Sequence, residues 1–290
     1  MMSASRRRWL QAVPVVALLA ALFGAGGTAS AGTIDKIRAD QTIRIAYRDD
    51  APPFSYKGAN DAEPVGYMVD LCRAVAKKLA DQIGLPSLKV AYVTVTAANR
   101  FDAIEKHDAD LLCEPTSATL SRRALVDFSI ATFVDGASLM TNDKNLVSTV
   151  GLTGRKIGVL AGTTTEAILR NLLKNEGIPA EIVPAKTHAD GLALLDDGKI
   201  SAYFGDRSIL LSLRKDSKAP DKLGIAQIYL TIEPYALALP RGDEDFRLAV
   251  DTALSHIYRS GEIVPIFNQT FNGKPSDMIE TLYLISALPD

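Results

Sequence analysis

Residues 109–129 read ADLLCEPTSATLSRRALVDFS, from Ala109 to Ser129. The first five are apolar enough for a buried strand, Glu114-Pro115-Thr116-Ser117 cannot continue it, and a short polar helix carrying Arg122 and Arg123 is expected next. A strand end, free hydroxyls and a guanidinium therefore converge. That set suits a small anion, because Thr116 and Ser117 can donate hydrogen bonds while an arginine grips a carboxylate through two parallel N–H groups. Arg122 and Arg123 are adjacent and point to different faces, so one can serve a ligand and the other solvent.

Upstream, Thr42–Tyr47 (TIRIAY) reads as a first strand, broken by Arg48-Asp49-Asp50-Ala51-Pro52-Pro53-Phe54. Arg48 sits at the carboxyl end of that strand, where ligands bind in open α/β sheets, or it is simply solvated beside Asp49 or Asp50. Phe54 and Tyr56 can wall a ligand or pin the loop to the core. Met68, Leu71, Cys72, Val75 and Leu79 fall on one face of a helix over 66–80, and a second strand runs from Leu88 to Val95. Thr96 or Asn99 opens the next helix, with Arg100 in its first turn, where a cation opposes the helix dipole unless it meets an anion. Ligand and structural roles for Arg100 are both open.

Downstream, Phe133–Met140 is an extended apolar run placed to cross between two lobes, and Asn142–Thr153 reads as a linker. A new α/β unit follows: strand Lys156–Leu160, turn Ala161–Thr165, and a helix from Glu166 to Lys174. The glycine turn offers free backbone N–H groups to an anion, and Thr163, Thr164 and Thr165 can equally cap the helix. Gly-Lys-Ser/Thr is missing, so this is no P-loop. Next come strand Glu181–Pro184, a loop carrying His188, helix Gly191–Asp197, and strand Lys199–Gly205 closing on Asp206. Asp206 can receive an ammonium group or cap the Arg207–Leu213 helix. Glu233–Pro240 is a second apolar run; two crossings are what a hinge between α/β lobes requires. A helix over 243–258, the segment 263–271 and an apolar tail over 278–288 complete the chain.

Three arginines precede an apolar run from Trp9 to Phe23, and Ala29-Ser30-Ala31 fits a secretory cleavage pattern. The run is short for a span, which needs roughly 20 apolar residues. Residues 1–31 are therefore expected as an export signal, through either the general or the twin-arginine route. Without them the net charge of −2 becomes about −5, and nothing basic remains to suggest nucleic acid. The remaining length suffices for two lobes with a large core. Cys72 and Cys113 are the only cysteines. Export makes a disulfide between them plausible, yet each also fits as a small buried hydrophobe. Without a nearby histidine pair they do not make a zinc site. Neither a metal nor a cofactor is expected.

The Thr-Ser…Arg-Arg…Val-Asp-Phe-Ser block, with Pro-Pro-Phe-Ser-Tyr, Val-Gly-Tyr-Met-Val-Asp-Leu, Ala-Gly-Thr-Thr-Thr-Glu and Glu-Pro-Tyr-Ala in order, resembles the family 3 periplasmic solute-binding proteins of amino-acid ABC importers. The resemblance covers the chain from Thr42 to about Phe271. It implies a two-lobed α/β fold of periplasmic-binding-protein type II, each lobe a mostly parallel sheet flanked by helices, joined by two hinge strands. The expected parts are residues 32–137, 138–235 and a return over 236–290. It further implies a monomer in the periplasm that closes on an amino acid and delivers it to a membrane permease.

Carried over residue by residue, Arg122 resembles the clamp on the ligand α-carboxylate, helped by Thr116 or Ser117 and by Thr163 and Thr164, and Asp206 resembles the acid that takes the α-ammonium. The glutamate/aspartate-binding subset is the most similar: its extra cations fall on Arg48, on Arg100 after Asn99, and on His188 in Lys186-Thr187-His188. Glu114-Pro115 departs from that subset, since a buried Glu114 would repel a ligand carboxylate and Pro115 lacks an N–H. Ala97 also stands where the subset has a hydroxyl residue. Two further readings stay open: an enzyme on the same fold, such as a dehydratase of cyclic acids with Glu114 or His188 as general acid, and a sensor subunit presented to a membrane receptor.

Overall fold

The computed structural model describes residues 32–58, 60–143, 146, 149–227 and 229–289. The expected export signal, Met1–Ala31, and part of the expected linker Asn142–Thr153 lie outside the described residues.

The chain opens with helix α1 (Thr33–Asp40), strand β1 (Thr42–Arg48) and a small hairpin of β2 (Asp50–Ala51) and β3 (Ser55–Tyr56). Helix α2 (Tyr67–Gln82) buries the expected stripe of Met68, Leu71, Cys72, Val75 and Leu79. Strand β4 (Lys89–Val95), helix α3 (Arg100–Glu105) and strand β5 (Leu111–Leu112) follow, then β6 (Asp127–Asp135) and β7 (Ala137–Thr141). The next unit comprises β8 (Lys156–Leu160), α4 (Thr164–Asn175), β9 (Glu181–Ala185), α5 (His188–Asp196), β10 (Ala202–Asp206), α6 (Arg207–Leu213) and β11 (Gly224–Ile225). Strand β12 (Glu233–Leu239) and helices α7 (Glu244–Arg259), α8 (Ile263–Phe271) and α9 (Asp277–Ser286) close the chain.

Two five-stranded sheets result, ordered β4-β1-β5-β12-β6 and β11-β7-β10-β8-β9. In the first, β1 runs parallel to β4 and β5 while β12 runs antiparallel to β5 and β6. In the second, β10, β8 and β9 are parallel and β7 is antiparallel to β10. Both sheets are buried on two faces, which is why strands such as Leu111-Leu112 and Ile157–Leu160 are apolar without alternation. Together these features make the architecture the type II two-lobed α/β fold. Its two crossings are β6 into β7, and the return into β12.

The first crossing turns at Gly136, where any Cβ would collide with the Thr231 carbonyl oxygen, so the two connections pass in backbone contact. Around the crossings, Phe54 lies edge-on to Tyr67, Phe133 and Tyr235, at centroid separations of 6.4, 4.9 and 5.5 Å. Phe54 therefore pins its loop to the core and does not wall a ligand. The Tyr67 hydroxyl is satisfied by the Thr132 carbonyl and by Tyr283, both at 2.8 Å.

Several boundaries differ from expectation. Of the five residues after Asp108, only Leu111 and Leu112 pair as strand, because the Asp110 carboxylate is taken by the Arg44 backbone and guanidinium. Arg122 and Arg123 lie on a single 3₁₀ turn, Arg122–Ala124. Strand β10 begins at Ala202, since the N–H groups of Lys199 and Ile200 are drawn back to the Leu194 carbonyl at the end of α5. His188, expected in a loop, is the first residue of α5 and is buried; Thr187 and Asp190 cap that helix reciprocally and move its start upstream.

Cys72 and Cys113 form a disulfide with a Cα–Cα distance of 6.3 Å, tying α2 to the segment after β5. The bridge closes a loop of 41 residues, which restricts the unfolded chain by about 4 kcal/mol in the chain-entropy account. Replacing both cysteines by serine is expected to lower the unfolding free energy by about 2–4 kcal/mol in a denaturant titration. An unchanged midpoint would show that the bridge constrains nothing the unfolded chain explores.

Candidate functional site

The carboxyl ends of β1, β5, β8 and β10 face one another, and a small cavity of about 20 Å³ lies between them. Arg48, Arg100, Ser117, Arg122, Thr163, Thr164, His188 and Asp206 line it, eight of the nine side chains singled out above. The ninth, Thr116, is buried outside the lining; its carbonyl accepts the Ala236 N–H at 3.1 Å and its hydroxyl makes no hydrogen bond.

Arg48 ends β1 and is only 3% exposed. Its Nε donates to Asp50 Oδ1 at 2.8 Å, and its Nη1 stands 3.6 Å from Glu114 Oε2. Arg100 begins α3 with its Nε 3.4 Å from Glu114 Oε1, which supplies the anion that a cation in a first helical turn requires. Arg100 also donates to the Ala97 carbonyl and, across the cleft, to the Gly162 carbonyl at 3.3 Å. Arg122 is held by donation to the Ser117 carbonyl at 2.8 Å and covers the Phe101 ring at 5.3 Å, while Arg123 is exposed. Burial pulls the Arg100 guanidinium down to about 10, opposed by Glu114, and burial also lowers Arg122.

Glu114 is fully buried. Burial raises its carboxyl above the ordinary range, against the pull of Arg100, Arg48 and Arg122. Its two oxygens make no hydrogen bond at all. Its charge is balanced through space.

From the second sheet, the turn after β8 carries Gly162 at φ +77°, the left-handed region, and its N–H donates to Glu166 Oε2 at 2.8 Å. Thr163 caps α4 by accepting the Glu166 N–H at 3.2 Å. Thr164, one residue on, is free to turn its hydroxyl inward. His188 Nδ1 lies 3.1 Å from the Tyr203 hydroxyl, and the His188 N–H donates to Asp50 Oδ2 at 3.4 Å. Complete burial, with Arg48 adding to it, holds the imidazole down to about 3. His188 is thus neutral near pH 7, correcting its place among three expected cations: in this site it is a polar wall, and two arginines carry the charge.

The residue that sequence reasoning missed is Glu233, at the start of β12 and 5% exposed. Its Oε2 accepts hydrogen bonds from Thr164 at 2.6 Å and from Ser117, and its Oε1 accepts from Thr231 at 3.0 Å. Ser117 and Thr164, two of the hydroxyls expected to meet a ligand carboxylate, thus hold an internal one, joining both sheets through the returning strand. Asp135 stands opposite Glu233 in the β6–β12 register, and Asp206 accepts from Thr165 at 3.1 Å. Burial, then the neighbouring acids, raises Asp206 to about 7; burial foremost raises Asp135 to about 6. The one available signal was the Glu-Pro-Tyr start of the second crossing, since an acid at the head of an apolar strand wants a partner.

The family model for bacterial extracellular solute-binding proteins, family 3, matches residues 43–273. An L-glutamate/L-aspartate-binding protein of Pseudomonas aeruginosa is 31% identical over 258 residues, covering 88% of this chain and 85% of its own. A glutamate/aspartate import solute-binding protein of Escherichia coli is 28% identical over 266 residues, covering 89% of this chain and 88% of its own. Among solved structures, an ancestral amino acid-binding protein, a precursor of cyclohexadienyl dehydratase, superposes with a TM-score of 0.72 at 24% identity, covering 83% of this chain and all of its own.

The raised acids set a pH dependence. A carboxyl whose folded value lies above its unfolded one contributes stability that is complete below about pH 4 and lost as pH rises through the folded value. For Asp206 that loss accrues from about pH 4 up to its folded value of about 7 and is finished about one unit above it. His188, held low, contributes in the opposite sense, but only below about its unfolded value of 6.5. Between about pH 6.5 and 8 the ligand-free protein is therefore expected to lose about 1 kcal/mol, and Asp206→Asn to remove that slope in denaturant titrations. A slope that survives in the variant would place the titration elsewhere.

Proposed function

The chain belongs to the bacterial extracellular solute-binding proteins, family 3, and on that premise we propose that it captures an amino acid, glutamate or aspartate first, between its two sheets and hands it to an ABC permease. The observation that carries this reading is the convergence of Arg48, Arg100, Arg122, Ser117, Thr164 and Asp206 on one cavity. Arg122 and the hydroxyls of Ser117 and Thr164 take the α-carboxylate, displacing Glu233. Asp206 takes the α-ammonium, where the acids around it make a cation welcome. Arg48 and Arg100 face the side chain, and a carboxylate there meets two guanidiniums in a dry site.

The cavity is too small for an amino acid as it stands, so capture requires the two halves to part and close again. We place the moving bodies at residues 32–135 with 233–289, and 137–225, and the hinge at the crossings between them. The polar contacts that span the cleft, Arg100 to Gly162, Asp50 to His188, and Glu233 to Thr164, would be exchanged for contacts to ligand. Among the described residues no helix is long and apolar enough to cross a membrane. Export to the periplasm fits the family and the amino-terminal sequence.

Binding without turnover is favoured over an enzymatic role. A general acid must reach its substrate, yet Glu114 lies behind the arginines and outside the cavity lining, and His188 is held neutral. Titration calorimetry with a panel of amino acids is expected to give heat with glutamate or aspartate. Arg122→Ala is expected to weaken every amino acid at least a hundredfold, about 3 kcal/mol. No binding across the panel would overturn the amino-acid reading, and an undiminished Arg122→Ala would overturn the clamp.

A further inference from the structure

Glu114 is the residue that the proposed function leaves without a purpose. It is fully buried between Cys113, tied by the disulfide, and Pro115, so its backbone has little freedom to withdraw. Its carboxylate approaches Arg48 and Arg100 at 3.6 and 3.4 Å, and neither oxygen accepts a hydrogen bond. A carboxylate so placed compensates the charge of the two arginines on the side away from the cavity. With Asp50 on Arg48 as well, the side-chain end of the cavity holds two cations and two anions. It is already neutral before any ligand arrives.

We propose that Glu114 is a specificity-determining residue: its carboxylate is a built-in counter-charge to Arg48 and Arg100, so that a ligand side chain ending in a carboxylate is accepted together with one proton, while the corresponding amide is accepted without it. The inference rests on the amino-acid reading of the cavity and deepens it. A second carboxylate meeting the same two guanidiniums adds one negative charge to a balanced, dry cluster. Like charges sharing a buried site raise the affinity of one of them for a proton. Glu114 is the member that takes it from solvent, because it lacks hydrogen-bond donors and burial already favours its neutral form. The other groups facing it are Arg122, which stays charged and is shared with the α-carboxylate, and Asp50, whose oxygens are occupied by Arg48 and the His188 N–H. Asp206 titrates at the opposite end of the ligand and acts on glutamate and glutamine alike.

The ratio of glutamate to glutamine affinity isolates this effect, since everything at the α-carbon cancels. Calorimetry of the intact protein at about pH 6 and pH 8, in two buffers of different ionisation enthalpy, is expected to show glutamate taking up one more proton than glutamine. The ratio should rise by up to about tenfold per unit as pH falls. Glu114→Gln is expected to level that ratio across pH and to raise glutamate affinity about tenfold at pH 8. Equal proton counts and a constant ratio in the unaltered protein would overturn the inference, even with tight binding of either ligand. Absence of binding by any amino acid at both pH values would overturn the reading beneath it and the inference with it. If Glu114→Gln does not fold, the ratio and the proton count in the unaltered protein decide the matter alone.

Discussion

Three guanidiniums are held in or beside a cavity almost closed to water, and the rest of the site follows from the need to balance them there. An unpaired buried charge costs several kcal/mol, so each arginine must have an anion or a carbonyl within reach. Arg48 has Asp50 and Glu114, Arg100 has Glu114 with the Ala97 and Gly162 carbonyls, and Arg122 has the Ser117 carbonyl. These partners come from β2, the segment after β5, the turn before α3 and the turn after β8. Charge balance is therefore met by partners from four separate chain segments.

The fold supplies that meeting point through strand direction. Parallel strands of each sheet end on the same side, and the two crossings turn the sheets so that those ends oppose. The antiparallel strands β6 and β12 then run through the first sheet as the roots of both connections, held by the ring cluster around Phe54 and Phe133. On the proposed reading a rigid root matters for function, since halves that part and close must return to the same register. The disulfide adds to it on the other side by fixing Cys113, one residue from Glu114.

Much of this was legible in the chain. Periodicity placed the stripe of α2 and the face of α7 because both helices bury a single apolar side, and Gly162 with Thr163 marked the start of α4 through ordinary capping chemistry. Strand ends placed Arg48 and Asp206, since position in an α/β sheet already says which end faces a ligand, and the short polar turn after the Ser/Thr loop placed Arg122. What could not be read were the pairings between distant segments. Nothing local announces that Glu233 reaches Ser117 and Thr164, over sequence separations of 116 and 69 residues. The charge of His188 was misjudged for the same reason, because its environment is built from Tyr203, Arg48 and Asp50 and not from its neighbours in the chain.

Glu233 and Glu114 show one physical solution used twice. On the proposed reading, a site for an amino acid with a second carboxylate is unstable while it holds nothing, because its donors face one another without acceptors. An internal carboxylate at each end removes that conflict: Glu233 satisfies the hydroxyls at the α-carboxylate end, and Glu114 neutralises the guanidiniums at the side-chain end. The two differ in how they give way. Glu233 begins a strand at the cleft mouth and is held by three hydroxyls, so it can yield its hydrogen bonds to a ligand carboxylate and meet water instead. Glu114 is fully buried between a disulfide-bonded cysteine and a proline, and the change proposed for it is protonation. On that reading one end of the ligand would be recognised by exchange of hydrogen bonds, and the other by exchange of charge.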